Sequence, residues 1–153
     1  MRTIRREIVG AFIFSSDNKL LLGKSRKGGV YADAWIIPGG GVDEGETQLQ
    51  ALAREITEET ALRITDAQIE QIEGSLTGQS EKTLKDTGER VLVHMNFYNY
   101  SVKLGKPASS INVITEDDFV DARWVPIAEL QTLTLSPPTV TTLQKLGYLP
   151  KAI

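Results

Sequence analysis

Gly40-Gly41-Val42-Asp43-Glu44-Gly45-Glu46-Thr47-Gln48-Leu49-Gln50-Ala51-Leu52-Ala53-Arg54-Glu55-Ile56-Thr57-Glu58-Glu59-Thr60-Ala61-Leu62 is a turn-rich approach running into one helix. Thr47 is an N-cap type with Gln50 three residues on, the spacing of a capping box. Leu49, Leu52, Ala53, Ile56 and Thr60 then follow the i, i+3, i+4, i+7 rhythm of a buried stripe. At about 100° per residue, Glu55, Glu58 and Glu59 share one arc beside that stripe, with Glu59 at its rim.

Folding alone gives little reason for that arc. Glu55 and Glu59 are a like-charge i,i+4 pair, unfavourable by a few tenths of a kcal/mol. Glu58 and Glu59 lie near the helix C-terminus, where the macrodipole favours cations, and no lysine on the helix relieves them. An acidic helix face is ordinarily a solvated one. Clustered here, with no protein cation expected to neutralise it, the arc predicts a hard divalent cation, because oxygen ligands at i, i+3 and i+4 converge on Mg²⁺ or Mn²⁺.

The segment resembles the Nudix box, Gly-x5-Glu-x7-Arg-Glu-(aliphatic)-x-Glu-Glu-x-Gly-(aliphatic). Gly40, Glu46, Arg54, Glu55, Ile56, Glu58, Glu59 and Leu62 match, and Ala61 stands where the family has glycine. That glycine supplies a left-handed helix end, a conformation that costs other residues about 1 kcal/mol. The departure bears on the helix terminus and leaves every carboxylate in place. The resemblance implies a Nudix-type α/β/α sandwich around a central mixed β-sheet, an α/β (α+β) chain forming a single domain over 1–153. It implies Mg²⁺ as cofactor, with Mn²⁺ able to substitute. The implied metal ligands are the Gly39 carbonyl, Glu55, Glu58 and Glu59, completed by a distal carboxylate, Asp118 or its neighbour Asp117, ahead of the strand bearing Trp124. Glu55 is the implied general base, with Arg54 and Glu46 as further catalytic residues.

Composition agrees with a small enzyme. The chain has 153 residues, enough for a core without staples, and no cysteine, which excludes disulfides and thiol catalysis. The net charge of −3 argues against a duplex nucleic-acid surface, where affinity rests on Lys and Arg. Ile8 to Phe14 is short, contains Gly10 and reads as a strand, neither signal peptide nor membrane span. A cytoplasmic protein with a small nucleotide substrate, no nucleic-acid or membrane partner, and room for a homodimer is the expectation.

Along the chain, Arg6–Phe14 and Lys19–Lys24 read as two strands about a polar turn. Lys24 to Ala34 reads as a basic loop and Trp35-Ile36-Ile37-Pro38 as a short strand. Ile69 to Thr77 is a further candidate strand, Gln79 to Glu89 a polar loop, Arg90 to Lys103 a long strand, and Arg123-Trp124-Val125 another. Pro126 opens a helical turn through Leu130. Ser136 as N-cap, Pro137 at N1 and Gly147 after the end spell a last helix.

Gly39-Gly40-Gly41 lacks the Lys-Ser/Thr of a Walker loop, and Glu44 breaks Gly-x-Gly-x-x-Gly. It reads as a tight turn or as bare backbone presenting a carbonyl to a cation, and the resemblance favours the second. Of the basic cluster Lys24, Arg26 and Lys27, Lys24 and Arg26 are candidate substrate contacts. His94, mid-strand, reads as sheet packing and Trp35 as core. By resemblance the reaction is hydrolysis of a phosphoanhydride in a nucleoside diphosphate linked to another group, most simply a nucleoside triphosphate giving monophosphate and pyrophosphate. Thr77-Gly78-Gln79-Ser80 lacks the proline or tyrosine that flags ADP-ribose or dinucleoside polyphosphate cleavage in the family. No N-terminal domain typical of ADP-ribose hydrolases and no coenzyme A signature is present. Nucleotide-sugar hydrolysis is the alternative, and a non-catalytic sensing module the third reading.

Overall fold

A computed structural model describes residues 1–25, 33–65, 67–74, 76–115 and 118–151. The strands are β1 (Arg2–Phe14), β2 (Lys19–Ser25), β3 (Gly39–Gly41), β4 (Gln68–Gln71), β5 (Leu76–Thr83), β6 (Arg90–Lys103) and β7 (Phe119–Pro126), with helices α1 (Gln48–Thr60) and α2 (Pro137–Leu146). Among the described residues they form one mixed sheet in the order β4-β6-β1-β2-β7, with β3 on β1 and β5 on β6. β1 and β6 run parallel over their whole lengths, from Arg2 opposite Val91 to Phe14 opposite Lys103.

Alternation along β1 divides two cores. Val9, Ala11 and Ile13 face α1, packing with Ala51, Leu52, Ile56 and Tyr100. Phe12 and Phe14 face α2, packing with Leu20, Leu22, Leu130 and Leu143. Strand side chains alternate between faces, so one β-branched and aromatic strand feeds both layers of the sandwich. Among the described residues no helix is long and apolar enough to cross a membrane.

Several local expectations need correction. Gly39–Gly41 is neither turn nor loop but a three-residue strand, antiparallel to Ile8–Gly10. Trp35–Pro38 makes only isolated bridges, Gly23 to Ile36 and Trp35 to Leu135. The stretch 36–41 thus fills the gap where β2 leaves β1, with Ile36 bonded to Gly23 and Ala11 donating to the Pro38 carbonyl at 2.9 Å. Ile69–Thr77 is not one strand: β4 ends at Gln71, Gly74 turns the chain at φ +87°, and β5 begins at Leu76. Half of the expected polar loop Gln79–Glu89 is sheet, since β5 pairs with β6 from Leu76 opposite Phe97 to Thr83 opposite Arg90. That strand is solvated over most of its length and so carries no apolar alternation to reveal it. Leu49 is 53% exposed although it falls on the apolar arc of α1, and Ala51 is buried in its place. Trp35 is half-buried, not core.

Candidate active site

Thr47 caps α1 as its sequence requires: its hydroxyl accepts from Gln50 N–H, and the Gln50 side chain accepts from Thr47 N–H. With Leu52, Ile56 and Thr60 buried beneath it, the helix is locked in rotation, and the glutamate arc turns toward β3.

Glu59 is 7% exposed at the rim of the buried face. Its Oε1 accepts the Gly39 backbone N–H at 2.8 Å. Glu55 lies under the next residue, where a Cβ on Gly40 would overlap its carboxylate. Gly39 is bare for a different reason, since a Cβ there would run into the Val9 carbonyl. Both glycines permit close approach of backbone to a neighbour, one of them across the sheet and the other to the Glu55 carboxylate. The Gly40 cradle is not legible from residue types, because only the packing of α1 brings Glu55 there.

The expectation that the arc lacks a protein cation is overturned. Arg54, on the same helix, donates from Nε and Nη2 to both oxygens of Glu46 at 2.8 and 2.9 Å, and from Nη1 to Glu55 at 2.8 Å and Glu58 at 3.4 Å. Nη2 also donates to the Gly41 carbonyl at 2.9 Å, and Asp43 lies 3.4 Å away. A planar fork on a carboxylate is the strong form of an ion pair. It holds the Glu46 carboxyl down to about 2, helped by the Asp43 N–H, and these carboxylates in turn push the Arg54 guanidinium well above its usual value. The i,i+4 spacing of Arg54 and Glu58 is the signal that could have found this contact. Arg54 thus joins Glu46 and Glu55 through one guanidinium.

Other sequence candidates lie around this cluster. Asp118 directly precedes β7, whose first residues, Phe119 and Val120, pair with Ser25 and Lys24. Lys24 Nζ stands 4.8 Å from the centroid of the Trp35 ring, and Arg123 packs on the same ring at 4.8 Å, so Trp35 is a platform for two cations. Arg26 and Asp117 fall outside the described residues. His94 pairs in the sheet with Arg5 and Gln79. Ala61 takes the left-handed conformation, φ 62°, ψ 14°, and its N–H still reaches the Thr57 carbonyl. The helix end expected of a glycine is therefore made by alanine.

The profile of the NUDIX domain matches residues 4–146, and the chain belongs to that family of hydrolases. It is 42% identical over 64 residues to the RNA pyrophosphohydrolase of Hydrogenovibrio crunogenus, a match covering 42% of this chain and only 36% of that relative's length. It is 27% identical over 146 residues to the nucleoside triphosphatase NudI of Enterobacter sp., covering 95% of this chain and 99% of the relative. Its fold superposes on the E. coli dihydroneopterin triphosphate pyrophosphohydrolase with a TM-score of 0.69 at 17% identity, covering 91% and 92% of the two chains.

Nudix hydrolases generally need divalent metal ions, and the residues here suit one. The donor set is all oxygen, the choice of hard cations, and Glu55, Glu58 and Glu59 rise from one helix beside the Gly40 cradle. Among the described residues no three acidic or histidine side chains stand in a ready-made cage.

Proposed function

We propose that this protein hydrolyses a phosphoanhydride bond in a nucleoside triphosphate, giving the monophosphate and pyrophosphate, with Mg²⁺ as the working ion. The observation that carries the reading is the clustering of Glu46, Arg54, Glu55 and Glu58 through one guanidinium, next to Glu59 on Gly39. Full-length likeness to a nucleoside triphosphatase supports the substrate class.

Glu55, Glu58, Glu59 and the Gly39 carbonyl would hold the divalent ion, with Asp118 as the distal ligand. When bound, such an ion neutralises phosphate oxygens and makes a nearby water more acidic. Glu55, held beneath Gly40, orients the attacking water and takes its proton as the new P–O bond forms. The anhydride P–O bond breaks and pyrophosphate leaves with that electron pair. Arg54 gathers and orients the carboxylates through its guanidinium, and Glu46 fixes Arg54. Lys24 and Arg26 offer charge to the outgoing phosphates.

The likeness to an RNA pyrophosphohydrolase favours one second reading, in which the triphosphate belongs to an RNA 5′ end; the bond broken is of the same kind. The test is kcat/KM with Mg²⁺ over ribo- and deoxynucleoside triphosphates, nucleotide sugars and a 5′-triphosphorylated RNA oligonucleotide, with products resolved. Monophosphate plus pyrophosphate from free triphosphates, at rates above the RNA, is the expected outcome. Release of orthophosphate with nucleoside diphosphate, or turnover of the RNA or sugar alone, overturns the substrate assignment.

A further inference from the structure

The glycines of β3 are bare toward different neighbours. Gly40, opposite Val9, leaves room for the Glu55 carboxylate on the α1 face of the sheet. Gly41, opposite Ile8, is bare toward the other face, and the end of the Arg6 side chain fills that space, with Nη2 where a Cβ would otherwise stand. Alternate side chains of a strand point the same way, so Arg6 shares its face of β1 with Ile8.

Arg54 and Arg6 both reach Gly41, and their surroundings differ. Arg54 donates to the Gly41 carbonyl and spends its other donors on carboxylates, Glu46 foremost. Among the described residues no carboxylate or carbonyl accepts from the Arg6 guanidinium, and Arg6 is exposed. An arginine head is all donor and no acceptor, so one seated on bare backbone without an anion offers its fork to a ligand. The stretch 36–41 has such a cation at each end. Ile36 bonds to Gly23, the neighbour of Lys24, and Gly41 lies against Arg6. Glu59 and Glu55 meet the stretch between them, at Gly39 and Gly40.

We infer that Arg6 binds the phosphate that remains on the nucleoside after cleavage and so fixes the direction in which the substrate lies along β3. The inference rests on the reading above, in which Lys24 and Arg26 face the outgoing phosphates, and it assigns the opposite end of the stretch. A polyphosphate laid from Lys24 to Arg6 crosses the carboxylates at its middle, which sets the bond between its first and second phosphates beside Glu55. The planar fork of Arg6 then holds the first phosphate by its non-bridging oxygens. Arg5, the next residue, lies opposite His94 and faces the other side of the sheet, which makes it a control of equal charge.

The test is isothermal titration calorimetry of the intact protein in Mg²⁺ with AMP against adenosine and CMP against cytidine, ligands with no anhydride bond to cleave. In the wild type each monophosphate should bind at least about tenfold more tightly than its nucleoside. Arg6→Gln should lower both ratios at least about fivefold by weakening the monophosphate alone, with an unchanged thermal midpoint as the check on folding. Gly41→Ala, whose methyl meets only the flexible end of Arg6, should fold and lower the ratios in the same direction. Arg5→Gln should leave them unchanged. No monophosphate advantage or no binding in the wild type, a full advantage in Arg6→Gln or Gly41→Ala, or an equal loss in Arg5→Gln overturns the inference. If the ratios follow Arg6 but no triphosphate is hydrolysed in Mg²⁺, the contact stands and only the proposed reaction fails.

Discussion

The carboxylate of Glu59 accepts the backbone N–H of Gly39 at 2.8 Å, tying the last turn of α1 to the short glycine strand β3. Residues twenty positions apart in sequence are thereby fixed at hydrogen-bond distance. A side chain on Gly39 would meet the Val9 carbonyl, so β3 lies this close to β1 only because it is bare. The bond also gives Glu59 a structural role beside the metal-binding role proposed for it. Glu59→Ala leaves a buried donor unsatisfied and should cost about 1–3 kcal/mol in denaturant unfolding. Glu59→Gln keeps an acceptor and should cost less, while both variants lose most turnover. Wild-type turnover in Glu59→Gln would make the residue purely structural.

Gly39 and Gly40 are adjacent but separable. At Gly40 an added Cβ meets the end of the Glu55 side chain, which can swing aside. Gly40→Ala should fold with a near-native thermal midpoint and lose at least about tenfold in kcat, the lower range for disturbed metal sites. At Gly39 the obstacle is backbone, so Gly39→Ala should lower the midpoint itself. Equal loss of stability in the two variants would contradict the Gly40 cradle.

The Glu46–Arg54 pair gives a pH signature. The Glu46 carboxyl is lowered from 4.5 to about 2, first by hydrogen bonds from Arg54 and then by the Asp43 N–H. Between those values the folded state binds fewer protons than the unfolded chain, so stability rises with pH through that window and is lost as pH falls. The thermal-midpoint gap between wild type and Glu46→Gln should be full above about pH 4.5 and vanish toward pH 2. A gap independent of pH would contradict the pairing.

Ala61 carries a left-handed backbone at φ 62°, a conformation that costs a side-chain-bearing residue roughly 1–2 kcal/mol. Glycine relieves that strain and returns part of the gain through its freer unfolded chain. Ala61→Gly should therefore raise unfolding free energy by about 0.5–1 kcal/mol, measured in urea. A loss of stability would show that the site is not strained.

What was legible in the sequence followed local rules with strong periodicity. The Thr47–Gln50 capping box, the buried Leu52–Ile56–Thr60 stripe and the position of Glu59 at its rim follow from helical geometry, and the structure has all three. The Pro137 start and Gly147 end of α2 follow from backbone preference, although Ser136 spends its hydroxyl on Thr139 instead of capping. Illegible features depended on tertiary contact. β5 is polar and exposed over most of its length, and its register comes from the ladder to β6. The resemblance singles out Arg54 and Glu46, but their pairing appears only when the fork of Arg54 closes on Glu46 across eight residues. The Gly40 cradle and the seat of Arg6 on Gly41 likewise exist only once two elements meet.

The most direct test of the account is nucleoside triphosphate hydrolysis by the wild-type protein in EDTA and after Mg²⁺ is restored. The structure pairs the acidic arc with Arg54, so the fold does not need a second cation to survive. Chelation should therefore abolish turnover while the protein stays folded, its thermal midpoint falling only by the stabilisation the bound ion supplied, and Mg²⁺ or Mn²⁺ should restore the rate. Full hydrolysis in EDTA would contradict the assignment of Glu55, Glu58 and Glu59 as the site that holds the working ion.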